Sequence, residues 1–508
     1  MNLAELTTRY RDRRTARIVE IDAAGQRREV THAELAEAVD ERADRLRAAG
    51  VGPGDVVGIR AGNSIDWVVW DLAVLARGAV LQAFGDETTV DAGFADRHGL
   101  ALLVDGDRAY PTGRRPHPVG EIPPDLHSLV YSSGTSGTLK GLRISRAGTE
   151  YVINRFVDAF GITAADRHLI FLPLANYQQR LSVYCCLWVG ADLVLALYQR
   201  VFAAIRQERP TFVIAPPVFY DAARQLHARG AAGAPLPEFL GGRMRFMITG
   251  MAPISRATLD AFWARGVPLL EAYGMTESGM IAWNTADAHR VGTVGRLIDP
   301  DAVEFLPDGE LLIRRPAPLS LGYFDVPAEV AGETFRPDGT IVTGDYGRLD
   351  ADGFLTLVGR KKDVITLGNG RKVHPAEIEA HFTGVPGVAD LIVVPTRSHR
   401  LGAIVTPTAD TPEQRRAVRD GVERVNAGLA SHERLAAVVF SATPLRGDPR
   451  FLTANLKLSR TAAADWFADR AGADDPADDP GPVGPAQGSG AVGPTRVAVD
   501  APAQAGSA

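Results

Sequence analysis

At 508 residues the chain is too long for one hydrophobic core, and roughly 100–200 residues per domain places it at about two to four lobes. Its 45% apolar and 23% charged residues are those of an ordinary globular protein, and a net charge of -6 gives no reason to expect nucleic acid, whose partners usually need a basic surface. Its two cysteines, Cys185 and Cys186, are adjacent in an apolar stretch, which argues against a structural disulfide or metal site and suits a reducing cytoplasm.

The opening MNLAELTTRYRDRRTARI has no long apolar core, so no secretory signal is expected. No stretch approaches the ~18 apolar residues of a membrane span. The eleven histidines form no HExxH pair, which argues against catalytic zinc. Residues 31–50 predict a helix: Thr31 is its N-cap, Glu34 completes a capping box, and Gly50 ends it. Residues 55–60 predict a short buried strand, and 65–84 an apolar helix followed by a strand. Strand and helix patterns alternate through residue 270, which implies parallel sheets covered by helices, an α/β fold. From 291 to 359 short apolar runs are separated by Pro-Asp-Gly and Ala-Asp-Gly turns, which are β-hairpin signals. Residues 372–469 return to mixed helix and strand, as a separate small lobe. The tail from about residue 470 is Ala, Asp, Gly and Pro; it buries too little to offset its ordering entropy and is expected to be disordered.

The most informative segment runs from Leu129 to Gly141, LVYSSGTSGTLKG. An apolar strand feeds a run of hydroxyls and glycines and then a lysine. Gly134 and Gly137 let backbone N–H groups turn toward an anion; Ser132, Ser133, Thr135 and Ser136 add hydroxyl donors, and Lys140 adds positive charge. The spacing is not that of a Walker A loop.

This string resembles the phosphate loop of the adenylate-forming (AMP-binding) superfamily, which contains acyl- and aryl-CoA synthetases, peptide-synthetase adenylation domains and luciferases. Leu139 stands where the family usually has proline. Five further motifs follow in the family's order, so the resemblance spans roughly residues 30–465. Thr249-Gly250-Met251-Ala252-Pro253 is similar to the loop lining the adenine and acid pockets. In Glu271-Ala272-Tyr273-Gly274-Met275-Thr276-Glu277-Ser278 the resemblance implies that Tyr273 stacks on adenine, Thr276 contacts the α-phosphate and Glu277 holds Mg²⁺, a hard ion suited to a carboxylate. Thr343-Gly344-Asp345 implies a ribose-binding aspartate. Arg360 matches a ribose-contacting arginine and Lys362 the interdomain pivot. Lys457 matches the mobile catalytic lysine, with Leu456 in place of the usual glycine. Singly, each string also reads as a solvated turn; their order carries the resemblance.

The fold implied is a large N-terminal lobe of parallel α/β sheets with a small β-barrel (1–360, β-rich over 291–359). A small mobile α+β lobe (361–469, hinge at 360–363) and the tail 470–508 follow. The activity implied is ATP- and Mg²⁺-dependent formation of an acyl-adenylate and pyrophosphate, with transfer to coenzyme A. Leu172–Arg180 (LPLANYQQR) resembles the acid-pocket segment of fatty acyl-CoA synthetases. Its polar cluster, Asn176, Tyr177, Gln178, Gln179 and Arg180, together with Gly274, predicts a small, polar or aromatic acid if it faces the pocket. The alternatives are a carrier-protein thiol or amine as acceptor, activation of nitrite for aryl-amine diazotisation, or a non-catalytic nucleotide-binding regulator.

Overall fold

The computed structural model describes residues 1–106, 108–113, 117, 120, 122–133, 139–230, 234–445, 448–452, 458–471 and 496–498. Contacts divide the chain into two compact units: residues 1–307, 311–343 and 349–356, and residues 308–310, 344–348 and 357–508.

The first unit holds two sheets with parallel centres and antiparallel edges. In the seven-stranded sheet the order is Ser320–Phe324, Leu139–Ser145, Leu126–Ser133, Val80–Phe84, Val56–Arg60, Leu102–Asp105 and Arg108–Pro111. In the nine-stranded sheet the parallel run Leu269–Met275, Phe246–Thr249, Phe212–Ala215, Arg167–Ile170, Asp192–Ala196 and Arg17–Ile21 is flanked by antiparallel edge strands. The helix Ile65–Ala76 is apolar because it packs on strands of both sheets, and one continuous core takes residues from both, including Val57, Leu81, Ile170 and Leu193. It has no broad solvent-facing stripe: ten of its twelve residues are buried. The expected capping box is present on the helix His32–Ala48, where Thr31 accepts from the Glu34 backbone and Glu34 from that of Thr31.

Four strands between 303 and 360 form a further sheet in the order Val303–Phe305, Glu310–Ile313, Ile341–Leu349 and Leu355–Arg360. The first pair is the hairpin expected from the Pro-Asp-Gly turn. The fifth strand of this segment, Ser320–Phe324, leaves it and joins the seven-stranded sheet against Leu139–Ser145.

In the second unit, strands Val388–Pro395, Leu401–Pro407, Leu435–Phe440 and Arg496–Ala498 form a mixed sheet. Ile378, Phe382, Val418 and Val422 pack in one apolar cluster against it, and Phe467 and Ala463 in another. The last helix runs to Arg470, and of residues 472–508 only 496–498 are described, as that edge strand. The expected disordered tail otherwise lies outside the described residues.

Candidate active site

The strands Leu126–Ser133 and Leu139–Ser145 pair antiparallel, with Ser132 opposite Lys140 and Ser133 opposite Leu139. Ser132, Ser133 and Lys140 thus belong by their backbones to the ladder. Gly134, Thr135, Ser136 and Gly137 lie outside the described residues. Gly141 is required by packing: a Cβ there would stand 2.5 Å from the Phe324 ring. The Lys140 ammonium sits over the ring of Tyr323, 5.0 Å from its centroid.

That same Tyr323 donates its hydroxyl to Oε1 of Glu277 at 2.7 Å. The Glu277 carbonyl accepts from the backbone N–H of Ser320 at 3.2 Å, and the neighbouring Ser278 carbonyl accepts from buried Arg315 at 3.0 Å. The turn carrying Thr276 and Glu277 is therefore held from outside its own hairpin. No described residue donates to Oε2 of Glu277. Mg²⁺ takes one or two carboxylates beside phosphates, and a lone carboxylate with one uncommitted oxygen fits that requirement. Burial and the adjacent Glu277 charge raise the Tyr323 pKa, so its hydroxyl keeps its proton to donate.

Tyr273 is buried on the strand Leu269–Met275, with a bulge between it and Gly274. Glycine is needed at 274 because a Cβ would meet the Gly279 carbonyl at 2.8 Å and Met280 at 2.9 Å. In the loop Gly250–Ala252, Met251 adopts φ 71°, the left-handed region, which costs a non-glycine residue about 1 kcal/mol. The hydroxyl of Thr249, at the end of the preceding strand, is buried without a hydrogen-bond partner among the described residues. An orphaned donor beside a strained loop is what a ligand-binding turn leaves open. Glu271 accepts from the Gly292 N–H at 2.8 Å, and burial pushes its carboxyl up to about 7.

In the second unit, Arg360 and Asp345, both expected at the ribose, are already paired at 3.0 Å, and Asp345 is buried. Lys362 lies in the short turn Lys361–Asp363, where Lys361 pairs with buried Glu310 at 2.7 Å. Lys457 lies outside the described residues. Its flanks are anchored: Ser459 N–H bonds to the Phe451 carbonyl at 2.7 Å, and Arg460 pairs with Glu379 at 2.6 Å.

The polar cluster on the helix Tyr177–Val189 is mostly internal. Arg180 is 0% exposed and bonds Asp71 at 2.7 Å, Tyr184 at 2.8 Å and Ser128. Burial disfavours its charge, but Asp71 and the tyrosines hold its pKa above the ordinary value. Tyr177 is buried too, its hydroxyl 2.6 Å from Thr149 and 2.7 Å from His127. Burial beside Arg180 and Arg146 holds His127 well below its usual pKa, hence neutral. Arg180, expected in the acid pocket, is thus committed to the core, because a buried Asp71 requires a cation. Asn176 and Gln178 are only half-buried. Cavities of about 370 Å³ beside Arg155 and Trp283 and of about 240 Å³ beside Asn63 and Trp67 contain none of the expected site residues.

The sequence reading missed Tyr323, and it placed Thr249 and Glu271 in their motifs without a role. Tyr323 sits in SLGYF, whose adjacent aromatics mark a strand with two occupied faces; nothing local says which strand it joins.

The comparisons with known proteins give the class: this chain is an AMP-forming ligase similar to acyl- and aryl-CoA ligases. Two family models match the chain: AMP-binding enzyme over residues 6–92 and 85–324, and AMP-binding enzyme C-terminal domain over 362–471. The chain belongs to the AMP-binding enzyme family. A long-chain-fatty-acid–CoA ligase of Mycobacterium bovis is 25% identical over 87% of this chain and 91% of its own. A feruloyl-CoA synthase of a Streptomyces species is 30% identical over 74% and 84%. The ATP-bound structure of MatB from Rhodopseudomonas palustris shares the fold, with a TM-score of 0.75 at 24% identity, over 92% of this chain and 99% of that one. Among the described residues no helix is long and apolar enough to cross a membrane.

Proposed function

We propose that this ligase activates a small carboxylic acid as an acyl-adenylate, releasing pyrophosphate, and passes the acyl group to coenzyme A. The observation that carries the reading is the placing of Lys140 and Glu277 on opposite features of Tyr323, one side chain holding the two groups a magnesium–triphosphate needs. The acyl- and aryl-CoA ligases among its relatives support coenzyme A as acceptor. A cytoplasmic setting, which supplies ATP and coenzyme A, suits it.

The acid oxygen bonds to the α-phosphorus as the bond to pyrophosphate breaks. The acid is already ionised at neutral pH, so no general base is required. Two anions must meet, and charge neutralisation dominates the barrier. Lys140 supplies a fixed positive charge beside the phosphates. Glu277 would hold Mg²⁺, which would offset the phosphate charge. Tyr273 is assigned to the adenine ring, Gly250, Met251 and Ala252 to its pocket, and Thr276 to the α-phosphate. Asp345 accepts from the ribose hydroxyls, aligned by Arg360. Lys457 is assigned to the incoming acid and the α-phosphate, where a compact cation with rotatable donors fits, and Lys362 to the pivot. With Tyr177 and Arg180 satisfied internally, Asn176, Gln178 and Gly274 remain assigned to the acid.

The test is acid-dependent ATP–pyrophosphate exchange across a panel of aliphatic and aromatic acids and nitrite. Mass spectrometry of the product, with and without coenzyme A, follows. Exchange with a small organic acid and a thioester product are expected. Exchange with nitrite alone, or a product unchanged by coenzyme A, would replace this reading.

A further inference from the structure

Lys140 and Glu277 carry opposite charges and come close to the same side chain, yet no ion pair within 4 Å joins them. A direct pair would be the simplest resting arrangement. It would also cancel the two charges that the proposed site needs separately, one for phosphate and one for a metal. Tyr323 prevents it. Its hydroxyl occupies one oxygen of Glu277 at 2.7 Å, and its ring face, 5.0 Å from Nζ, offers the ammonium a cation–π seat.

Tyr323 is itself held from three directions. Its strand, Ser320–Phe324, pairs with the strand leaving the phosphate loop, Tyr323 opposite Leu142 and Phe324 opposite Gly141. Phe324 packs where a Gly141 side chain would be. Phe335 meets the Tyr323 ring edge-on, with centroids 4.9 Å apart. At the other end of the strand, the Ser320 N–H binds the Glu277 carbonyl. One short strand thus ties the backbone of the carboxylate turn to the exit of the phosphate loop, and Tyr323 ties their side chains.

We propose that Tyr323 is a positioning residue that keeps the Glu277 carboxylate and the Lys140 ammonium apart and aimed, its hydroxyl serving the metal side and its ring the phosphate side. This rests on the reading of Glu277 as the Mg²⁺ ligand. The two roles separate in two variants. Tyr323→Phe keeps the ring and loses the hydroxyl; Tyr323→Leu loses both.

The experiment measures Mn²⁺ binding to the enzyme–ATP complex by electron paramagnetic resonance, and ATP binding without metal, in EDTA, by calorimetry. Outer partners of a metal ligand typically govern 10–100-fold in metal affinity. Tyr323→Phe should therefore weaken Mn²⁺ binding about tenfold and leave metal-free ATP affinity within about twofold of wild type. Tyr323→Leu should weaken both. Equal Mn²⁺ affinity in wild type and Tyr323→Phe would overturn the proposal, as would a Tyr323→Phe variant that loses metal-free ATP binding in parallel. If the wild type itself binds Mn²⁺ no better with ATP than ATP does alone, or Glu277→Gln binds it unchanged, the assignment of Glu277 fails instead. Tyr323→Phe is nearly isosteric, so its result stands even where Tyr323→Leu does not fold.

Discussion

Replacing Arg180 by methionine separates a core role from a substrate role. Its guanidinium is fully buried and forks onto both oxygens of Asp71, at 2.7 and 3.2 Å, while Asp71 is itself 2% exposed. Without it the carboxylate keeps only the Tyr184 hydroxyl, and Ser128 loses its guanidinium partner. Breaking one side of a buried pair costs about 3–5 kcal/mol, because the remaining charge stays uncompensated. Arg180→Met should lose that much. Asp71→Leu combined with Arg180→Met should recover most of it, since an apolar replacement of the whole pair is close to neutral. Urea unfolding followed by tryptophan fluorescence reads this directly: Trp67 lies on the same helix as Asp71, its ring 5.7 Å from the Arg180 guanidinium. A loss under about 1 kcal/mol, or a changed acid preference at unchanged stability, would return Arg180 to the acid pocket and refute the argument.

Glu271 gives a pH signature. Its folded pKa, about 7, is raised above the ordinary 4.5 by burial, so the folded chain binds more protons between those values and stability falls as pH rises through the window, by about 1–3 kcal/mol. Glu271→Gln should flatten that slope and melt above wild type at pH 8; parallel melting–pH curves would contradict it. Asp345→Ala, which removes the ribose acceptor and strands Arg360, should weaken ATP binding at least tenfold by calorimetry, and unchanged affinity would remove Asp345 from the nucleotide site. Lys457→Ala should slow adenylation about 10²–10³-fold while thioester formation from synthetic acyl-AMP survives; an equal fall in both half-reactions would make the lysine structural.

Much of this was legible in the chain because local signals suffice for it. Thr31 and Glu34 lie three apart and cap the same helix turn, and a Pro-Asp-Gly turn makes its own hairpin. The motifs also mark Asp345 and Arg360, which the fold does pair. What stayed hidden depends on contacts between distant segments. Strand Ser320–Phe324 joins a partner about 180 residues earlier, and only that register brings Tyr323 to Lys140 and Glu277. The LPLANYQQR cluster reads as a pocket because the segment resembles the acid pocket of fatty acyl-CoA synthetases. Its true partner, Asp71, is 109 residues away. A sign of it was available: beyond Asp66 in the first turn, Asp71 is an acid in the middle of the apolar helix Ile65–Ala76, and such a group needs a buried cation.

The central claim is that this chain makes an acyl-adenylate. Wild-type enzyme incubated with ATP, Mg²⁺ and the acid that best supports exchange, with no acceptor present, should yield enzyme-bound acyl-AMP and one equivalent of pyrophosphate. Mass spectrometry and a coupled pyrophosphate assay detect them, and both should be lost in Glu277→Ala. Release of ADP and phosphate, or acid-independent pyrophosphate, would contradict the account.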